Sequence, residues 1–141
     1  MSSNSTAYVF SIAHGCLLMA AVLPLLCSWI AKWGQLRTSP GRGGFDNADP
    51  RGWLARQGGW RARANAAQAN SFEALPFFFA AVLLATMLGA PQAWLDGLAL
   101  LYLLLRLGYI AAYVGDKPST RSALWALAFV VNIAIFLLGW R

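Results

Sequence analysis

Four apolar stretches, each close to the length needed to cross a bilayer, leave this 141-residue chain few ways to fold. The first runs without a formal charge from 7 to 31, a second from 74 to 90 and a fourth from 122 to 140, while a third, about 93–114, is interrupted by Arg106. A membrane-crossing helix needs roughly 20 predominantly apolar residues. Hydrocarbon offers no partner to a bare peptide group, so such runs cross as helices whose backbone bonds are internal. Composition agrees: 59% of residues are hydrophobic and 11% charged, where soluble domains carry about 25% charged. Four spans use up most of the chain. The reading is therefore an all-α integral membrane protein, a four-transmembrane-helix bundle forming one domain over 1–141, with approximate spans 7–33, 60–90, 93–114 and 120–140.

The connections fit this plan. The polar Ser2 to Thr6 precede the first run with no positive segment, and the run exceeds the 7 to 15 residues of a signal-peptide core, so it reads as a span. Residues 34–59 change to Gly, Pro, Arg, Asp and Asn, the chemistry of a solvated loop, and form the one long connection. Gly89-Ala90-Pro91 and Gly115-Asp116-Lys117-Pro118 make short turns. The second helix starts near Trp60 with a polar stretch and is expected to project beyond the bilayer.

The net charge of +6 raises nucleic acid as a partner, but the charges flank the apolar runs instead of forming a patch, so no nucleic acid is expected. Lys32, Arg37, Arg42, Arg51, Arg56, Arg61 and Arg63 lie around the first loop, and Lys117 and Arg121 around the third. By the positive-inside rule these loops are cytoplasmic and the termini lie on the opposite side, where Arg141 is the one cation. Trp29, Trp33, Trp60, Trp94 and Trp140 fall near span ends, as an aromatic belt requires. Pro24 and Pro76 read as kinks within spans. Cys16 and Cys27 share one helix about 16 Å apart along its axis, too far to bridge. With one His in the chain a metal site is not expected, and His14 reads as hydrogen-bonded in a helix interface.

Ionisable residues at membrane depth are costly and mark function by default. Glu73 and Arg106 are the two that stand out. On the second span Arg63, Asn70 and Glu73 stay near one face with Pro76 and Phe77. On the third, Arg106, Tyr109 and Tyr113 form another stripe. Arg121 and Ser122 open the fourth, where free backbone N–H groups also favour an anion. Three helices thus aim cations and hydroxyls at one cytoplasmic-side pocket, with Glu73 as its acid. Two roles remain open for Glu73 and Arg106: contacts to a ligand, or a mutual ion pair that holds the bundle.

The run from Arg63 through Asn70 and Glu73 to Pro76-Phe77 resembles the R-A-x-R-A-x-x-N-x-x-E-x-x-P signature of the membrane-associated proteins in eicosanoid and glutathione metabolism, the MAPEG family. Tyr109, Tyr113 and Arg121-Ser122 are similar to that family's tyrosines at the end of helix three and its Arg at the start of helix four. The resemblance spans essentially the whole chain and is to a bacterial-type member, which implies an inner-membrane location. It implies a homotrimer among membrane lipids, with glutathione as cofactor between subunits and a lipophilic small molecule as second substrate. Carried over by position, Arg63, Asn70, Glu73, Arg106, Tyr109 and Tyr113 would bind the tripeptide, and Arg121 with Ser122 would face its sulfur as catalytic residues. The implied activity is that of a glutathione transferase or peroxidase on lipophilic electrophiles or hydroperoxides. Two positions depart from the family pattern: Ala66 replaces the second Arg, and Trp125 stands where some members have Tyr. The alternatives are a catalytically silent protein of the same fold that binds a lipid or small anion, and a proton-coupled exporter built on Glu73.

Overall fold

The computed structural model describes residues 10–140; the expected start of the first span at 7–9, the N-terminal tail and Arg141 lie outside them. The order is α1 (Ile12–Lys32), a 3-10 turn (Pro40–Arg42), α2 (Pro50–Ala55), α3 (Gly59–Met87), α4 (Gln92–Val114) and α5 (Pro118–Leu137). Among the described residues there is no strand. By length and composition α1, α3, α4 and α5 are the four helices able to cross a membrane. With 29 residues, α3 extends about 43 Å, longer than a hydrocarbon core of about 30 Å.

Helix α1 packs chiefly on α3 and α4 on α5, while α3 also meets α4 and α5. Small side chains permit this close approach. Ala13, Ala20, Ala64, Ala67, Ala81, Ala85 and Ala99 are buried where helices meet, and Phe78 stacks on Tyr102 with ring centroids 4.0 Å apart. Pro24 and Pro76 lie inside α1 and α3, and the buried Cys16 and Cys27 are free thiols. Trp29, Trp33, Trp94 and Trp140 are exposed near helix ends, as a belt needs.

The ends of the bundle are closed by local chemistry. Helix α3 ends in a Schellman motif: Ala90 N donates to Ala85 O and Gly89 N to Thr86 O, with Gly89 at φ +68°. The same pattern ends α4, where Lys117 N donates to Ala112 O and Asp116, at φ +57°, takes the left-handed position. His14 does not reach across a helix interface. Its Nδ1 accepts from Ser11 N at 3.2 Å and lies 2.8 Å from Ser11 Oγ, a local arrangement that closes the start of α1.

Asp96, an acid inside the third apolar stretch, accepts from Ala13 N at 2.7 Å and from Gln92 Nε2 at 2.8 Å. A carboxylate from α4 thus caps the N-terminus of α1, where its charge also meets the positive end of the helix dipole. Asp96→Ala is expected to lower stability by roughly 1–2 kcal/mol, and Asp96→Asn to recover much of it because one oxygen remains. Thermal unfolding in detergent checks this; unchanged melting in Asp96→Ala would remove the cap from the account.

The 34–59 connection is more ordered than its turn-rich composition suggests. Trp53 is buried, meets the edge of Phe45 at 5.3 Å and donates through Nε1 to Gly43 O at 3.4 Å. Asp49 caps α2 by accepting from Gly52 N, and Arg61 at the start of α3 donates through Nη2 to Trp33 O at the end of α1, joining the two ends of the connection.

Candidate functional site

Arg106 is the centre of the polar arrangement. Helix α4 places it in the bundle at 2% exposure, and its Nη2 donates to Asn70 Oδ1 at 3.0 Å and to Ser71 Oγ at 3.4 Å, both on α3. The Tyr109 ring lies against the guanidinium, 4.4 Å from centroid to Cζ. Arg106 takes part in none of the ion pairs among the described residues, which join Arg56 to Asp49 and Arg63 to Asp116. The mutual ion pair left open for Glu73 and Arg106 is therefore not formed. Buried guanidinium without a carboxylate is unfavourable in an apolar bundle, which makes the site receptive to an anion.

Glu73 is exposed on the outer side of α3, one turn beyond Asn70, whose Nδ2 donates to it at 3.4 Å. Asn70 thus stands between the two charges: its oxygen serves Arg106 and its nitrogen serves Glu73. These three residues open on a cleft of about 170 Å³ whose other walls are apolar or aromatic, Phe77 from α3 and Trp125 and Phe129 from α5. Trp125 and Phe129 stack nearly parallel, 3° apart in plane.

A second cavity of about 210 Å³ adjoins it, lined by Tyr109, Tyr113, Arg121, Ser122 and Trp125. Arg121 lies over the Tyr113 ring at 4.2 Å, and the two tyrosines meet edge to face at 5.6 Å. Trp125 lines both cavities. The single pocket expected from spacing is thus two adjoining compartments, one carrying Asn70, Glu73 and Arg106, the other both tyrosines, Arg121 and Ser122.

Arg63 is in neither. Its Nε donates to Val114 O at 3.1 Å, and its Nη1 lies 3.6 Å from Asp116 Oδ2, so it closes the C-terminal end of α4. A cation there suits the helix dipole. The pair is partly solvated, with side-chain exposures of 31% and 67%, and such pairs are individually weak.

Two site residues were not singled out from sequence. Ser71 shares the Arg106 contact from α3. Asn132 lines the first cleft from α5 at 3% exposure. The signal for Asn132 was present, since Arg121, Trp125, Ala128 and Asn132 recur at helical spacing on one stripe.

Comparison with curated proteins and with solved structures gives no match. The MAPEG family model matches residues 12–140, which includes every helix and all residues of both cavities. The chain is a member of the MAPEG family, an all-helical integral membrane protein.

Proposed function

We propose that this protein binds glutathione in the two adjoining cavities and uses its thiol against lipophilic electrophiles or hydroperoxides, as a transferase or peroxidase. The observation that supports this most is the buried, carboxylate-free Arg106 beside the exposed Glu73 carboxylate. Opposite charges held apart by Asn70 suit a zwitterionic ligand better than either suits lipid. Glutathione carries two carboxylates, an ammonium and a thiol, and the donor set fits each. Arg106 takes a carboxylate, Glu73 the ammonium, and Arg121 with Ser122 faces the thiol. Tyr109 and Tyr113, whose phenols have no hydrogen bond among the described residues, supply further donors. Arg63 would serve the second carboxylate by exchanging it for Asp116. The chemistry supplied by the bound tripeptide is that of its thiolate; Arg121 favours that charged form and Trp125 and Phe129 exclude water beside it.

The catalytically silent reading draws support from the engagement of Arg63 with Asp116 and from Ala66, which removes a family cation. Thermal unfolding separates the readings. Glutathione should raise the midpoint with a concentration dependence set by its dissociation constant, while stabilisation by anionic lipid alone would favour the silent one. In gentle detergent the mass should equal three protomers; a monomer that still binds glutathione would remove the shared-site arrangement.

Orientation follows from the Lys and Arg around 34–59, with the site at the cytoplasmic end of the bundle and the inner membrane as its setting. A single cysteine placed at Gly41 in a chain lacking Cys16 and Cys27 should react with impermeant reagents from the cytoplasmic side alone. Labelling from outside intact cells would invert this arrangement.

A further inference from the structure

Besides Asn70 and the charged residues, the first cleft is lined by Phe77, Trp125 and Phe129 and by one further polar side chain, Asn132. On α5 Asn132 follows Arg121 by three turns, about 16 Å deeper along the axis, which places it well inside the apolar part of the bundle. Among the described residues its side chain has no hydrogen-bond partner, and its Oδ1 is enclosed by protein. An unpaired carboxamide in such surroundings destabilises the apoprotein, and a leucine of similar size would avoid the cost. A molecule in the cleft that bonds to the carboxamide removes this cost.

The lining of the cleft says what that molecule is. Glu73 and Arg106 supply its charges; the other walls are rings and alanines, and Asn132 is the one further polar group besides Asn70. A carboxamide turns readily about its terminal torsion and presents either an acceptor or a donor. A hydroxyl both donates and accepts, so it satisfies Asn132 in either orientation, whereas an ether or ketone satisfies one and a hydrocarbon neither. We infer that Asn132 is a specificity-determining residue that selects, as second substrate, a lipophile carrying a hydroxyl, an alcohol or phenol, at the end of the molecule seated between Trp125, Phe129 and Phe77 and remote from its reacting group. This rests on the proposed function for the role of the lipophile as substrate, but the binding preference itself does not need glutathione.

The test uses the full chain in lipid nanodiscs and two probes alike in size, 4-octylphenol and 4-octyltoluene, each measured against empty nanodiscs to remove membrane partition. Wild type should bind the phenol on the order of tenfold more tightly than the toluene, the ratio that one neutral hydrogen bond provides. In Asn132→Leu the two should bind equally, with the toluene no weaker than in wild type. Equal binding of both probes by wild type overturns the inference, and so does a phenol preference that survives in the leucine variant. The wild-type ratio decides even if the variant does not assemble. Glutathione affinity of wild type is measured in the same nanodiscs: its absence with the phenol preference intact would remove the proposed function and leave the Asn132 site standing.

Discussion

Arg106→Met should leave a folded protein that has lost glutathione. Arg106 is buried and has no carboxylate partner among the described residues, so its replacement by an apolar side chain of similar length relieves a desolvated charge. Against that relief stands the loss of the donor to Asn70 Oδ1 and Ser71 Oγ, about 1–3 kcal/mol for polar groups left unsatisfied. The two effects oppose, and the melting temperature of the apoprotein is expected to change little. Binding has no such compensation. Removal of one side of a buried charge pair costs about 2–5 kcal/mol, a loss of at least about thirtyfold in affinity. Arg106→Lys keeps the charge but not the planar guanidinium that can meet a carboxylate with two N–H groups, and should fall between the two. Calorimetric titration with glutathione beside thermal unfolding checks both halves. Collapse of Arg106→Met without ligand would make Arg106 a structural residue.

Glu73→Gln is the second large effect. The carboxylate is exposed and, among the described residues, forms no ion pair and has one weak contact, from Asn70 Nδ2 at 3.4 Å. Little of the fold rests on it. Opposite a ligand ammonium it would form a charged hydrogen bond, worth roughly 1.5–3 kcal/mol, so the variant should bind glutathione about ten- to a hundredfold more weakly with unchanged melting. A glutathione analogue without its amino group should bind wild type and Glu73→Gln alike. Unfolding of the variant with no binding-specific loss would contradict the assignment.

The bundle itself was legible because hydrocarbon imposes one rule, that backbone bonds be internal, and the chain obeys it in four long runs. That Asn70, Glu73, Arg106, Tyr109 and Tyr113 would gather, as they do along the two cavities, was legible for a related reason: polar groups are rare in such apolar helices and helical spacing groups them. What spacing does not contain is the partner across the helix boundary. It put Arg63 on the face of Asn70 and Glu73, but the side chain leaves that face for Val114 O and Asp116, because the end of α4 has carbonyls to satisfy. It left Glu73 and Arg106 free to pair, whereas Asn70 stands between them. Asp96 was hidden because an acid near the start of a span reads as a boundary residue, and the α1 amide it caps lies far away in sequence. Trp53 was hidden in turn-rich sequence, since one aromatic among glycines and arginines has no periodicity to reveal it.

In the proposed function Arg121 stabilises the charged sulfur of glutathione bound beside Tyr113 and Trp125. Arg121 has no ion-pair partner among the described residues and lies over the Tyr113 ring in the second cavity, so its charge is available to a ligand. The direct measurement is the ultraviolet thiolate absorbance of bound glutathione, titrated with pH in wild type and in Arg121→Ala. In wild type the bound thiol should ionise below the free-thiol reference near 8.5, because a nearby cation favours the thiolate. A shift of about one unit corresponds to about 1.36 kcal/mol, a size that suits a partly solvated guanidinium without the family's second cation at Ala66. In Arg121→Ala the titration should move back up while Arg106, Asn70 and Glu73 still hold the tripeptide. Superimposable titrations in the two proteins, or no saturable binding in either, would contradict the account.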